Sequence, residues 1–216
     1  MASTPADGML AGLGTVNADR FPAAGNGSAA SANVAVCAYD YTVLAGTQGM
    51  WNHFKKDRLF DVAKRLRLPV LFYTEGGGGR PGDTDGINYA GLNCTAFAQW
   101  AQLSGLVPLV GIASGYCFAG NAVILGCCDV IIATTDACVG LGGPAMIEGG
   151  GLGTFHPSEV GPVAQSVPNG TVDILVADEA EATAVAKRYL SYFQGAYDPR
   201  SAAGWGTCAD QRRVLN

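Results

Sequence analysis

Apolar and polar positions along this chain follow two different periods, and the switch between them marks its elements. Short apolar and β-prone runs, bounded by glycine, proline or aspartate, predict strands at 33–39, 41–44, 70–73, 107–112 and 129–134. From 48 to 67 the apolar positions recur every three or four residues, with lysines and arginines between them, so a long amphipathic helix is predicted. The same criteria predict helices at 89–104, 118–126 and 179–193.

This order of elements, strands followed by helices in a ββα sequence, predicts an α/β fold with largely parallel sheets. In such folds ligands are expected where strands end and helices begin. The length of 216 residues and the hydrophobic share of 49% are sufficient for one well-buried core, and no internal repeat divides the chain. We therefore predict a single domain.

Charge and cysteine usage exclude several classes of protein. The net charge of -5 and the lack of a basic stripe argue against a nucleic-acid groove. The seven cysteines form neither a Cys-x-x-Cys pair nor a Cys/His cluster, so no metal site is predicted and a reducing cytoplasm fits best. The first residues show no basic run followed by an apolar run, so no secretory signal is predicted. The nearly uncharged stretch 105–147 is interrupted by Pro108, Asp129 and glycines, which favours a buried core over a membrane span.

The first of three glycine-rich segments follows the strand at 70–73. Gly76, Gly77, Gly78 and Gly79 allow a ligand to approach the backbone closely, and Arg80 adds a partner for a phosphate or carboxylate. The segment matches neither a P-loop nor a dinucleotide fingerprint, so a mononucleotide cradle is not expected. The alternative is a flexible surface turn.

The second segment, 115–122, lies between a strand and a short helix. The backbone N–H groups of Ala119 and Gly120 would fall in the first turn of that helix, where they have no partner within it. Such donors can form an oxyanion hole, which needs no side chain. The alternative is an ordinary helix N-terminus packed on the sheet.

The third segment, 140–153, is too apolar for a solvated linker and too rich in glycine for a helix, so it is expected to line a site. Side-chain catalysis is harder to assemble. His53 is expected to be exposed among the charges of the amphipathic helix, and His156 lies in a loop. Ser114 and Cys117 precede the short helix as a nucleophile would, but no base is placed beside them.

Taken together, four motifs resemble the carboxyltransferase domains of biotin-dependent acetyl- and propionyl-CoA carboxylases. They are the run 59–69, the stretch 74–83 (Thr-Glu-Gly-Gly-Gly-Gly-Arg-Pro-Gly-Asp), the stretch 117–122 (Cys-Phe-Ala-Gly-Asn-Ala) and the stretch 142–153, which begins Gly-Gly-Pro-Ala-Met. The resemblance covers roughly 12–213 and includes 41–49, 167–170 and 172–173. Each motif is moderately specific, and their order makes the set strong.

The resemblance implies a crotonase (ClpP-like) spiral of ββα units that binds an acyl-CoA, with biotin carried, as carboxybiotin, on a separate carrier domain. It implies that freed biotin takes the α-proton, so that no protein base is needed. It places the oxyanion hole on the N–H groups of Ala119 and Gly120, although the family often has two glycines there. It implies substrate contacts at Gly76, Gly77, Gly78, Gly79, Arg80, Phe118, Gly142 and Gly143, and CoA phosphate contacts at Lys55 and Lys56. A solvated helix face would explain the two lysines equally well.

By the same resemblance, residues 1–216 correspond to one N-terminal-type domain, and the second crotonase domain, which supplies the biotin site, is absent. A partner carrying that domain, a biotin carboxyl carrier domain and a homo-oligomer are therefore expected. Activity of the isolated chain is an open question. Two alternatives remain, namely a non-catalytic acyl-CoA-binding or scaffold module and a stand-alone acyl-CoA hydrolase or isomerase that uses Ser114, Cys117 or Glu148.

Overall fold

A computed structural model describes residues 4–19, 32–80 and 95–194 of the chain. Its elements alternate between strand and helix, as the pattern predicts. The strands are β1 (Met9–Thr15), β2 (Asn33–Tyr39), β3 (Val70–Tyr73), β4 (Leu109–Ala113), β5 (Tyr116–Phe118), β6 (Val130–Thr134), β7 (Cys138–Gly140) and β8 (Ile174–Val176). The α-helices are α1 (Met50–Leu66), α2 (Ala96–Leu103), α3 (Gly120–Gly126), α4 (Pro144–Gly149), α5 (Val163–Ser166) and α6 (Glu179–Ser191). Short 3-10 helices lie at Pro5–Gly8, Leu44–Gly46 and Pro157–Glu159.

Two sheets organise the described residues. The larger has the strand order β1-β2-β3-β4-β6-β8, in which β1 is antiparallel to β2 and every other pair is parallel. The smaller pairs β5 with β7 in parallel, so that Tyr116 lies opposite Cys138 and Phe118 opposite Gly140. Because the carboxyl ends of parallel strands share one edge, the segments that follow β2, β3 and β4 come together there.

Helices cover both faces of the larger sheet, and alternation along β3 shows how. Val70 and Phe72 point into the cluster formed with α1 and α2, whereas Leu71 points into the cluster formed with α6. The ring of Trp100 on α2 lies 4.8 Å from that of Phe60 on α1 and 5.7 Å from that of Phe72. Such doubly covered strands are nearly continuous apolar runs, which is why 70–73 is recognisable in the sequence.

The predicted elements at 33–39 and 70–73 match β2 and β3. The predicted strand at 41–44 is wrong, because Asp40 accepts hydrogen bonds from the backbone and hydroxyl of Thr42 and turns the chain into the 3-10 helix Leu44–Gly46. The expectation that 140–153 holds no helix is also wrong, since Pro144 opens α4. The predicted helix 118–126 begins only at Gly120, and residues 89–94 of the helix predicted at 89–104 lie outside the described residues.

A helix that crosses a bilayer needs about 20 predominantly apolar residues. In the described ranges no helix is both long enough and apolar enough to cross a membrane.

Candidate functional site

The three glycine-rich segments meet beyond the carboxyl ends of β3 and β4. Gly76 donates its N–H to the carbonyl of Tyr116 at 2.8 Å and accepts from the N–H of Phe118 at 2.8 Å, which joins the first segment to the second. Ala119 donates its N–H to the carbonyl of Gly140 at 3.0 Å, which joins the second segment to the third. These backbone hydrogen bonds join residues that lie 21 to 42 positions apart in the sequence.

Most amides of the first segment are already used within the protein. Gly77 donates to the carbonyl of Ala45 at 3.0 Å, and Gly78 donates to Oδ1 of Asn121 at 3.1 Å. The carbonyl of Gly78 accepts from the N–H of Gln48 at 2.6 Å. The N–H groups of Gly76, Gly77 and Gly78 are therefore not open to an anion, and the substrate contacts expected at these glycines remain predictions. The glycines are needed for close approach, as Gly76 and Gly78 have φ angles of 156° and 87°.

Gly79 differs from its three neighbours. Like Gly77 it is exposed, but a Cβ added there would meet no atom within 4 Å, whereas a Cβ at any of the other three glycines would. Its place in the chain is fixed by the bonds on either side, because Gln48 accepts from the N–H of Arg80 at 3.0 Å. Gly79 therefore lies on the open side of the loop, where the expected substrate contact remains a prediction.

Of the two backbone N–H groups expected to form the oxyanion hole, those of Ala119 and Gly120, one is available at the start of α3. Ala119 has a φ angle of 51° and its N–H is bonded to Gly140, so the expectation that it completes an oxyanion hole is wrong in this conformation. The N–H of Gly120, the first helical residue, has no acceptor within the described residues. A Cβ built on Gly78 would lie 3.2 Å from this nitrogen, and the Gly120 Cα faces the side chains of Gln48 and Phe97.

Arg80 holds a structural ion pair. Its guanidinium and the carboxylate of Asp7 are almost fully buried and directly bonded, and Nη2 also donates to the carbonyl of Thr47 at 2.9 Å. Gly49 leaves the space that this pair fills. The expectation that Arg80 contacts an anionic substrate is therefore corrected, because its planar fork already has carboxylate and carbonyl partners.

The two lysines on α1 have different environments. Lys56 is fully buried, and its ammonium donates to Oε1 of Gln48 at 2.6 Å and to the hydroxyl of Tyr39 at 3.0 Å. Neither a solvated helix face nor a CoA phosphate contact agrees with that burial. Lys55 is half-buried and donates to the carbonyls of Ala6 and Met9, so it stabilises the N-terminal turn. Its proposed phosphate contact would require exchanging those bonds.

Phe118 connects the second and third segments through packing. It is buried, its ring stacks on Tyr116 with centroids 6.0 Å apart, and a Cβ on Gly143 would touch it at 3.4 Å. Gly143 caps the start of α4, and Gly142 precedes it as a half-buried residue. Phe118, two residues before Gly120, therefore packs directly against Gly143. Substrate contacts by Phe118, Gly142 and Gly143 remain predictions.

The environments of the candidate nucleophiles and bases do not activate them for catalysis. Burial raises the pKa of the Cys117 thiol to about 12, so little thiolate is present at neutral pH. The hydroxyl of Ser114 lies 3.4 Å from Oε2 of Glu179, and Glu148 is exposed. His53 is buried against Phe97 rather than exposed as expected, and burial lowers its pKa to about 4, with Lys56 adding to the effect.

Three buried polar residues near the glycine-rich segments, Gln48, Asn121 and Glu75, were not predicted from the sequence. Gln48 and Asn121 are fully buried amides bonded to each other at 2.8 Å, and a lone asparagine in the apolar run of α3 was the available signal. Glu75 lines a cavity of about 590 Å³ at the ends of β2, β3 and β4, together with Tyr41, Tyr116 and Glu179. Burial raises the pKa of Glu75, although its carboxylate accepts from the N–H of Ser114.

The architecture and the site define a crotonase-type α/β domain with a backbone donor facing a glycine-rich loop. The family model for the carboxyl transferase domain matches residues 5–204, and the chain belongs to that family. The expected fold is confirmed by solved structures that share it. A single-chain, multi-domain long-chain acyl-CoA carboxylase superposes with a TM-score of 0.83 and 58% identity, over 91% of this chain and 19% of that one.

Two further relatives give the range of the family. The 12S subunit of methylmalonyl-CoA carboxyltransferase from Propionibacterium freudenreichii is 28% identical over 193 residues, which cover 88% of this chain and 34% of that protein. The propionyl-CoA carboxylase beta chain of Rhodococcus erythropolis is 27% identical over 173 residues, 78% of this chain and 36% of that protein. The chain thus spans about a third of the length of these curated relatives.

Proposed function

We propose that this chain is the acyl-CoA-binding half of a carboxyltransferase that moves CO2 from carboxybiotin to the α-carbon of an acyl-CoA. The observation that carries the proposal is the N–H of Gly120, available at the start of α3 and facing the tightly bonded loop of Gly78. Membership of the carboxyl transferase family supplies the chemistry for which such a donor is suited.

The donor would act on the thioester oxygen. When the α-carbon loses its proton, negative charge moves onto this oxygen, and a fixed N–H stabilises the enolate more than the ground state. Loss of one such donor costs about 2.7–4 kcal/mol in well-studied oxyanion holes. Because the N–H of Ala119 is bonded to Gly140, we assign this role to Gly120 and no longer to both residues.

Carboxybiotin, when bound, supplies CO2 and a nitrogen that takes the α-proton. The resemblance assigns its site to a second crotonase-like domain, so we assign no residue of this chain to it. We propose that this domain, a biotin carboxyl carrier domain and further copies of the chain complete the assembly. Transcarboxylase 12S, one of the related structures, forms a hexamer. A cytoplasmic location belongs to the same proposal and is supported by the cysteines of the described residues, all five of which are free.

The acyl group is the finer part of the proposal. The sequence analysis favours acetyl-CoA or propionyl-CoA, and one curated relative is a propionyl-CoA carboxylase chain. The relative with 58% identity is a long-chain acyl-CoA carboxylase, which supports a long-chain substrate. We therefore propose an acyl-CoA substrate whose chain length is to be measured over this range.

Calorimetric titration with acetyl-, propionyl- and palmitoyl-CoA tests the proposal, using the parent chain and two substitutions at one position. Gly120→Pro removes the N–H at the first residue of α3, whereas Gly120→Ala keeps the N–H and adds a similar Cβ. A Cβ at Gly120 meets Nε2 of Gln48 at 3.0 Å in either variant, so the alanine variant is the matched control.

We expect the proline variant to bind acyl-CoA about three- to tenfold more weakly than the alanine variant, the effect of one hydrogen bond. Circular dichroism would establish that both variants are folded. Absence of acyl-CoA binding by the folded parent at millimolar ligand would refute the proposed function. Equal affinities of the two variants would refute the role of the Gly120 donor.

A further inference from the structure

A buried chain of four polar side chains lies directly beneath the glycine loop. We name it the polar relay: Tyr39, Lys56, Gln48 and Asn121. Lys56, Gln48 and Asn121 have no solvent exposure beyond 1%, and they come from α1, from the residues just before it and from α3. The relay ends at Oδ1 of Asn121, which accepts the N–H of Gly78 at 3.1 Å.

The chemistry of Lys56 sets the direction of every bond in the relay. An ammonium group only donates, so Gln48 must turn its carbonyl oxygen Oε1 toward it. The amide nitrogen Nε2 of Gln48 then faces Asn121 and donates to Oδ1 at 2.8 Å. Asn121 in turn directs Nδ2 to the carbonyls of Thr74 and Glu75 at 3.2 and 3.3 Å.

Gln48 also holds the loop through its backbone. Its N–H donates to the carbonyl of Gly78 at 2.6 Å, and its carbonyl accepts from the N–H of Arg80 at 3.0 Å. Both polar groups of the Gly78 residue are thus bonded to the relay, one to Asn121 and one to Gln48. The loop held in this way packs on the start of α3, because a Cβ at Gly78 would lie 2.5 Å from that of Ala119.

We propose that Lys56 is a positioning residue for acyl-CoA binding, which fixes the Gly78 loop against the Gly120 donor by setting the orientation of the Gln48 and Asn121 amides. The inference rests on the proposed function, in which Gly120 contacts the thioester oxygen. It assigns to Lys56 a role in aligning that contact, without contact to the substrate itself. The side chains of Gln48 and Asn121 carry this effect from the buried face of α1 to the Gly78 loop.

The test compares binding of an acyl-CoA with binding of the matching S-alkyl-CoA thioether, which lacks the carbonyl oxygen. The ratio of the two dissociation constants isolates the contact with the oxygen. Lys56→Met removes the ammonium group, and Gln48→Glu keeps the shape of residue 48 but cannot donate to Asn121. Lys64→Met is the matched control, since Lys64 lies on the same helix, is exposed and donates to Gln102.

We expect the parent and the control to prefer the thioester between about two- and tenfold, as one hydrogen bond allows, and both relay variants to lose that preference. Thioether affinity should stay within twofold, which a general loss of structure would not produce. Retention of the parent's preference by Lys56→Met would overturn the inference.

Amide NMR separates this inference from the proposed function. In both relay variants we expect the 15N–1H signals of Gly78 and Gly120 to shift, with faster hydrogen exchange at Gly78, and neither to change in the control. Unchanged Gly78 and Gly120 signals in Lys56→Met would refute the positioning role even if the parent bound no ligand. Shifted signals with no thioester preference in the parent would instead count against the Gly120 donor and leave the relay's effect on the loop established.

Discussion

Adding a single methyl group at Gly78 should weaken the fold far more than adding one at the adjacent Gly79. At Gly78 the φ angle is 87°, and the new Cβ would lie 2.5 Å from the Cβ of Ala119. Backbone strain of this type costs about 1–3 kcal/mol, and overpacking adds about 1–3 kcal/mol, so Gly78→Ala should lose roughly 2–6 kcal/mol. A Cβ added at Gly79 would meet no atom within 4 Å, so Gly79→Ala should change the free energy of unfolding by less than about 0.5 kcal/mol.

Urea denaturation followed by circular dichroism measures both values in parallel. The expected loss at Gly78 is a large share of the roughly 5–15 kcal/mol by which domains are stable, so a lower denaturation midpoint should be obvious. If the two variants were equally stable, the close packing of the glycine loop on α3 would be disproved. The positions of Gly78 and Gly120 on which the proposed site depends would then need revision.

Two further predictions concern buried charge. Arg80→Met should lower the free energy of unfolding by about 3–5 kcal/mol, because it leaves the buried Asp7 carboxylate without its partner. In denaturant titrations, the double variant with Asp7→Asn should recover much of that loss. A cost below about 1 kcal/mol for Arg80→Met alone would contradict a buried ion pair. The pKa of His53 is lowered to about 4 in the folded protein, so as the pH falls below 6.5 the unfolded chain takes up the imidazole proton first. Between pH 7 and 4 the free energy of unfolding should therefore fall by roughly 2–3 kcal/mol more in the parent than in His53→Gln. Parallel stability curves for the two proteins would exclude this effect.

Local patterns predicted β2, β3, β4 and β6 well, because each is an apolar run largely buried on both faces. Strand β8, in which Leu175 is exposed, was not predicted. The errors at 41–44 and 140–153 arose where a local constraint, a polar contact in one case and a proline in the other, outweighs the hydrophobic pattern. At 41–44 the run is as apolar as a strand, but the Asp40 carboxylate binds the Thr42 N–H at 2.9 Å and turns the backbone. At Pro144 the fixed φ of proline opens a helix that the glycine content of the segment argued against.

The site was located by its glycines, but the partners of its side chains were not predictable. Lys56 and Lys55 are adjacent on an amphipathic helix, and only the packing of α1 on the sheet buries one of them against Tyr39. Gln48 and Asn121 are seventy-three residues apart, so their bond depends on the whole topology. A polar residue in an apolar segment indicates burial with partners but does not identify them.

One backbone hydrogen bond links the first turn of α3 to the exposed apolar residues that follow β7. The carbonyl of Gly140, at the end of β7, accepts the N–H of Ala119, and the exposed apolar side chains of Leu141, Met146 and Leu152 follow directly after it. Any protein that docks on those side chains and shifts β7 would also move the first turn of α3. Free-energy linkage requires the reverse effect in equal measure, so if acyl-CoA binds at Gly120 as proposed, it would change the affinity of that surface for any such protein.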